Sequence, residues 1–184
     1  MDDGAIWVFG YGSLMWDPGF EHDRREIARL DGLRRGFCLR SIHHRGTPGA
    51  PGLVLALDRA AGASCDGVAF RIPPRAAPEA LAVLRARELV TSAYHETRIP
   101  VAVASGARLA AITYVVDPGH VQYCGGLTLE EQARIIAMAT GGRGRNADYL
   151  LATVAKLGEL GLHDPELQWL ADRVRLLGRP NTES

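Results

Sequence analysis

The sequence predicts an α+β fold, with strands dominating the first two thirds and helices the last third. Three observations carry this. Apolar runs rich in β-branched and aromatic residues recur between residues 6 and 116. Clusters of Gly and Pro punctuate them. Helical apolar periodicity takes over from Thr128 onward. Strands and helices are segregated rather than alternating, which argues against a parallel α/β sheet. The length of 184 residues favours a single domain over 1–184, enough to bury roughly 70% of the unfolded surface.

Taken in order, "AIWVFGY" reads as a central strand ending at Gly10, and "WDPGF" as a turn. "REIARLDGLRRGFCLRSI" is ambiguous. Gly32 and Gly36 weaken a long helix, and the alternation of Phe37, Leu39 and Ser41 suggests a strand over 33–42. Residues 43–52, "HHRGTPGAPG", form a loop. "LVLALDRA", the turn "AGAS" and "CDGVAFRIP" read as a hairpin. A helix over 76–90 follows prolines suited to a helix start. Residues 95–117 read as a second strand–turn–strand pair. Thr128 with Glu131 is a capping-box pattern opening the helix 129–140. "GGRGRN" connects it to "ADYLLATVAKLGELG", and "PELQWLADRVRLLG" is a further amphipathic helix.

Composition excludes several classes. Lys+Arg and Asp+Glu both number 21, so the net charge is zero. This gives no electrostatic reason to expect nucleic acid or an anionic membrane as partner. Cys38, Cys65 and Cys124 are odd in number and form no C-x-x-C, so neither a disulfide framework nor a cysteine zinc site is expected. The acidic start lacks a signal-peptide pattern and no run of 18 apolar residues occurs, so a cytoplasmic protein is expected.

The chemistry-bearing candidates are few. Gly10-Tyr11-Gly12 begins like a dinucleotide fingerprint, but Met15 stands where a third glycine belongs. Ser13 is not in a nucleophile elbow, since Tyr11 and Met15 occupy the glycine positions. "GGRGRN" lacks the Lys-Ser/Thr of a phosphate loop. The six histidines form no zinc pattern, so no metal is expected. Glu88, near the end of the 76–90 helix, is the carboxylate of interest. Taken alone, its sequence neighbourhood favours a surface ion pair with Arg85 or Arg87. Glu79, nine residues earlier, falls on the opposite helix face.

Five blocks, read together, resemble the ChaC-like γ-glutamylcyclotransferases. They are "VFGYGSLMWDPGF", "GFCLRSIHHRGTPGAPGLVLAL", "DGVAFRI", "LRARELVTSAYHE" and "GGRGRNADYL", in family order along nearly the whole chain. Arg40 stands where the family often has tryptophan. The resemblance implies a small mixed sheet curled towards a barrel with helices around it. It also implies cleavage of glutathione to 5-oxoproline and Cys-Gly, without cofactor. Glu88 falls on the family's catalytic glutamate. Val8, Phe9, Gly10, Tyr11, Gly12 and Ser13 are the expected substrate-binding stretch. Arg45, Asn146 and Tyr149 are further positions in the matching blocks, and Arg45 is read equally as a carboxylate receptor or a loop anchor. Burial is expected to raise the pKa of Glu88, with Arg85 and Arg87 pointing away from it. Cyclisation of other γ-glutamyl amino acids or amines, and a non-catalytic small-molecule binder on the same scaffold, are the alternatives.

Overall fold

The computed structural model describes residues 4–178, so the ends of the expected 1–184 domain lie outside the described residues. Five strands close a barrel in the order β1-β3-β2-β4-β5. They are β1 (Ile6–Gly10), β2 (Arg24–Ser41), β3 (Gly52–Ile72), β4 (Tyr94–Val103) and β5 (Arg108–Val116). β1 lies between β3, to which it is antiparallel (Val8 opposite Phe70), and β5, to which it is parallel (Val8 opposite Ile112). β4 and β5 pair along their whole length, from Tyr94 opposite Val116 to Ala102 opposite Arg108. The expected barrel and the expected strand–turn–strand pair are both present.

Two expectations need correction. The "AGAS" hairpin does not form, because β3 runs through it as one 21-residue strand. Gly62 there has φ +78°, which re-aims the strand without reversing it. β2 also begins at Arg24, well before residue 33. Gly32, at φ +80°, is a second such irregularity inside it.

Contacts divide the chain into two compact units. The first gathers the N-terminal segment through Arg35 with Ala56–Tyr123. It includes α1 (Ala77–Glu88), which has a proline in its first turn as the sequence implied. Alternation along β1 separates two apolar clusters. Phe9 and Tyr11 pack with Leu30, Leu57, Ala69 and Val101, whereas Val8 packs with Ile72, Ala80, Leu84, Ile112 and Tyr114. The second cluster is where α1 is seated, through Ala80 and Leu84.

The second unit gathers Gly36–Leu55 with the chain from Cys124 onward. It holds α2 (Leu129–Met138), α3 (Asn146–Glu159) and α4 (Pro165–Leu177). The capping box forms: Glu131 N–H donates to Thr128 Oγ1 (3.2 Å) and Thr128 N–H to Glu131 Oε2 (2.7 Å). "GGRGRN" is the connection expected, but an ordered one. It closes a two-stranded hairpin of β6 (Thr140–Gly141) and β7 (Gly144–Arg145). Among the described residues no helix is long and apolar enough to cross a membrane.

Candidate active site

The glycine stretch and the lone carboxylate both belong to the first unit, on β1 and α1. β1 delivers the stretch. The side chains of Val8 and Phe9 are fully buried, and Gly10 and Gly12 are buried too. The chain then turns into a short 3-10 segment, Ser13–Met15, whose start at Gly12 has no side-chain cap. The first N–H groups of such a turn have no helical acceptor.

The carbonyls of the stretch are held from behind. Thr113 Oγ1 on β5 donates to the Phe9 carbonyl (3.0 Å). The buried guanidinium of Arg35 donates to the carbonyls of Tyr11 (2.9 Å) and Asp66 (3.0 Å). A Cβ on Gly67 would overlap the Gly10 carbonyl oxygen and stand 2.7 Å from the Phe9 ring. Glycine is therefore required where β3 crosses behind the stretch. The Tyr11 ring is 7% exposed and belongs to the core cluster, so it supports the turn from within.

Glu88 is the last residue of α1, with its side chain 18% exposed. Burial raises its pKa, and the positive charge of Arg87 opposes that rise. The carboxylate also sits at the negative end of the helix dipole, which acts in the same direction as burial. In the cluster that seats α1, Tyr114 on β5 is 1% exposed and donates its hydroxyl to Glu96 Oε2 (3.1 Å). Burial first, then the negative charges of Glu96 and Glu88, push the phenol well above its ordinary value.

The two arginines beside Glu88 behave differently. Arg85 turns away, as expected, and makes a two-pronged bond to Glu96 (2.9 and 2.8 Å). Arg87 does not turn away. Its Nε lies 3.6 Å from Glu88 Oε1, its Nη2 donates to Ser13 Oγ (2.6 Å) and its Nη1 to the Asp17 carbonyl (2.8 Å). One guanidinium thus ties the glycine stretch to the end of α1. The Arg87–Glu88 ion pair is the local reading of the sequence, whereas the bonds from Arg87 to Ser13 and Asp17 had no local signal. Glu79 lines a separate groove of about 450 Å³, with Phe20, Glu21 and Val83, to which Glu88 does not contribute.

Three further candidates belong to the second unit. Asn146 is fully buried at the start of α3 and bonds both ways to Leu53, accepting from its N–H (2.7 Å) and donating to its carbonyl (2.8 Å). It acts as a strand partner for one residue of β3. Arg45 donates to the carbonyls of Arg143 (2.8 Å) and Arg145 (3.3 Å) and lies over the Tyr149 ring at 5.2 Å. Tyr149 packs edge-on against Phe37. These contacts are those of a loop anchor. Among the described residues no group of three or more His, Cys, Asp or Glu could hold a metal ion.

Comparison with known proteins identifies the family and the fold. The sequence model of the ChaC-like protein family matches residues 6–177. The glutathione-specific γ-glutamylcyclotransferase of Escherichia coli K12 is 38% identical over 176 residues, covering 96% of this chain and 75% of the relative. That of Schizosaccharomyces pombe is 33% identical over 169 residues, covering 80% of each. Among solved structures, a yeast γ-glutamyl cyclotransferase specific to glutathione superposes with a TM-score of 0.83 at 25% identity, covering 98% of this chain and all of that one.

Proposed function

The chain belongs to the ChaC-like family, and on that premise we propose that it is a glutathione-specific γ-glutamylcyclotransferase with Glu88 as its general acid and base. The observation that carries the reading is a carboxylate sheltered from water at the end of α1, held beside a glycine-rich turn through Arg87. The fold around it resembles that of the yeast enzyme specific to glutathione.

The reaction is an intramolecular aminolysis. The substrate's α-amine nitrogen attacks its own γ-carbonyl carbon, closing a five-membered lactam, and the bond to the cysteine nitrogen breaks. The attacking nitrogen sheds two protons in passing from ammonium to lactam N–H. The leaving nitrogen gains two in becoming the ammonium of Cys-Gly. Glu88 takes one proton from the attacking nitrogen and hands one to the leaving nitrogen, while the other equilibrates with water. A carboxylate serves both steps best when its pKa is raised towards the working pH, which is the direction burial moves Glu88. The ring closes on an internal nucleophile, so Ser13 has no bond to make.

Residues Val8 to Ser13 form the substrate cradle in this reading. Val8, Phe9 and the buried Tyr11 ring support the turn, and the backbone of Gly10 to Ser13 with the Ser13 hydroxyl meets the ligand. The uncapped N–H groups at the start of the 3-10 turn support a role in steadying the developing oxyanion. Such a donor is typically worth about 3–4 kcal/mol. Folding the flexible glutamyl chain into an attack geometry can supply roughly 7–11 kcal/mol more. The whole chain is proposed to work as one functional domain, since the family match spans 6–177. Cys38, Cys65 and Cys124 form no disulfide, which suits the reducing cytoplasm proposed for it.

The test is direct. Purified protein incubated with glutathione should release 5-oxoproline and Cys-Gly in equal amounts. A panel of other γ-glutamyl dipeptides should react far more slowly. If glutathione yields neither product while another γ-glutamyl compound does, the chemistry stands and the specificity is wrong.

A further inference from the structure

Arg87 holds Glu88 beside the glycine-rich turn but takes no part in the proton transfers above. Each of its three side-chain nitrogens faces a protein oxygen: Glu88 Oε1, Ser13 Oγ and the Asp17 carbonyl. The side chain is 30% exposed, and its bonds to Ser13 and Asp17 lie within reach of water. Two of its N–H groups are committed to protein oxygens and its Nε faces Glu88, so its orientation is set by the protein. The guanidinium is a planar fork that fixes the separation of the groups it bridges. On one side lies the turn that begins at Gly12, and on the other the last residue of α1.

We propose that Arg87 is a positioning residue for the cyclisation, latching the Ser13–Asp17 turn to the end of α1 so that cradle and acid/base keep one fixed geometry. This rests on the reading of Glu88 given above. The same guanidinium has a second effect through its charge. Burial drives Glu88 towards its neutral form, and the charge of Arg87 pulls the other way. Other charged and titratable groups flank the pair. Tyr114 of β5 stays protonated and neutral, and Glu96 of β4 behind it is neutralised by its two-pronged bond to Arg85. Among the described residues, Arg87 is the cation that acts on Glu88, so removing it removes that positive influence.

Latch and charge separate experimentally. Arg87→Met keeps the length of the stem but lacks both charge and fork. It should lower kcat by about tenfold to a hundredfold, the scale set by small misplacements of reacting groups. The acid limb of its pH–rate profile should move to higher pH. Arg87→Lys restores a charge but lacks the rigid planar fork that spans Ser13, Asp17 and Glu88, so it should return the acid limb towards wild type and leave kcat low. Ser13→Ala should lower kcat without moving the acid limb. A readout independent of turnover is the Glu88 carboxyl titration followed by carbon NMR, in which Arg87→Met should titrate at higher pH than wild type. The inference is overturned if Arg87→Met keeps wild-type kcat and titration, or if Arg87→Lys restores kcat fully. A wild type that releases no 5-oxoproline refutes the proposed function instead, and the NMR titration still decides whether Arg87 governs Glu88.

Discussion

Replacing Asn146 by alanine tests how the second unit is locked together. The Asn146 side chain is fully buried and satisfies both backbone groups of Leu53, itself fully buried, through bonds of 2.7 and 2.8 Å. Alanine leaves the Leu53 N–H and carbonyl without those partners, and a buried backbone group left unsatisfied costs about 1–3 kcal/mol. Two such groups give a loss of roughly 2–6 kcal/mol, set against a few tenths regained because alanine is the better helix former. For a chain of this length each kcal/mol lowers Tm by about 2–4 °C. Asn146→Asp keeps an acceptor for the N–H but loses the donor and buries a carboxyl, so it too should destabilise. Urea unfolding followed by circular dichroism gives the free energies. A loss below about 1 kcal/mol for Asn146→Ala would refute the view that this side chain stands in for a missing strand partner.

Other consequences follow from charge and packing. Burial raises the pKa of Glu88 in the folded state above its ordinary 4.5, so the folded protein binds that proton more tightly than the unfolded chain. Ionising it costs stability as pH rises from 4.5 through the raised value, and Glu88→Gln should therefore raise Tm at neutral pH with the gap closing below about pH 4. Glu130 on α2 behaves oppositely. Its bonds to Arg173 on α4, and then to Arg134, hold it down to about 2 against an ordinary 4.5. That contribution is present above pH 4.5 and lost on approach to pH 2, so Glu130→Gln should lower Tm near neutrality and converge with wild type in acid, as read by thermal melts across pH. Gly67→Ala would force a methyl against the Gly10 carbonyl and the Phe9 ring, so it should depress both Tm and 5-oxoproline release.

Much of this was legible in the residues, for identifiable reasons. The apolar run Ile6–Phe9 broken by glycines marked a strand delivering backbone, and Thr128 with Glu131 marked a helix start; both signals are local. The hairpin expected at "AGAS" failed because a positive-φ glycine fits a reversal and a bulge equally well. Only long-range pairing decides between them, here Gly10 with Val68 on one side of β3 and Leu57 with Val115 on the other. The early part of β2 was hidden because its outward positions are charged, leaving only Ala28 and Leu30 to signal the buried face. Asn146 and Arg45 were noticed as members of matching blocks, yet the groups they hold lie 93 and 98 residues away along the chain. Arg87 combines both kinds of contact. Its ion pair with the adjacent Glu88 is a local reading of the sequence, but the bonds to Ser13 and Asp17 reach 74 and 70 residues back along the chain and have no local signal.

The central claim is that the sheltered carboxylate at the end of α1 moves the protons of the cyclisation. The most direct measurement compares wild type with Glu88→Gln for 5-oxoproline release from glutathione, with circular dichroism and Tm confirming that both are folded. The account predicts a folded variant with its rate reduced by about a hundredfold or more. A folded Glu88→Gln protein that retains the wild-type rate would contradict it.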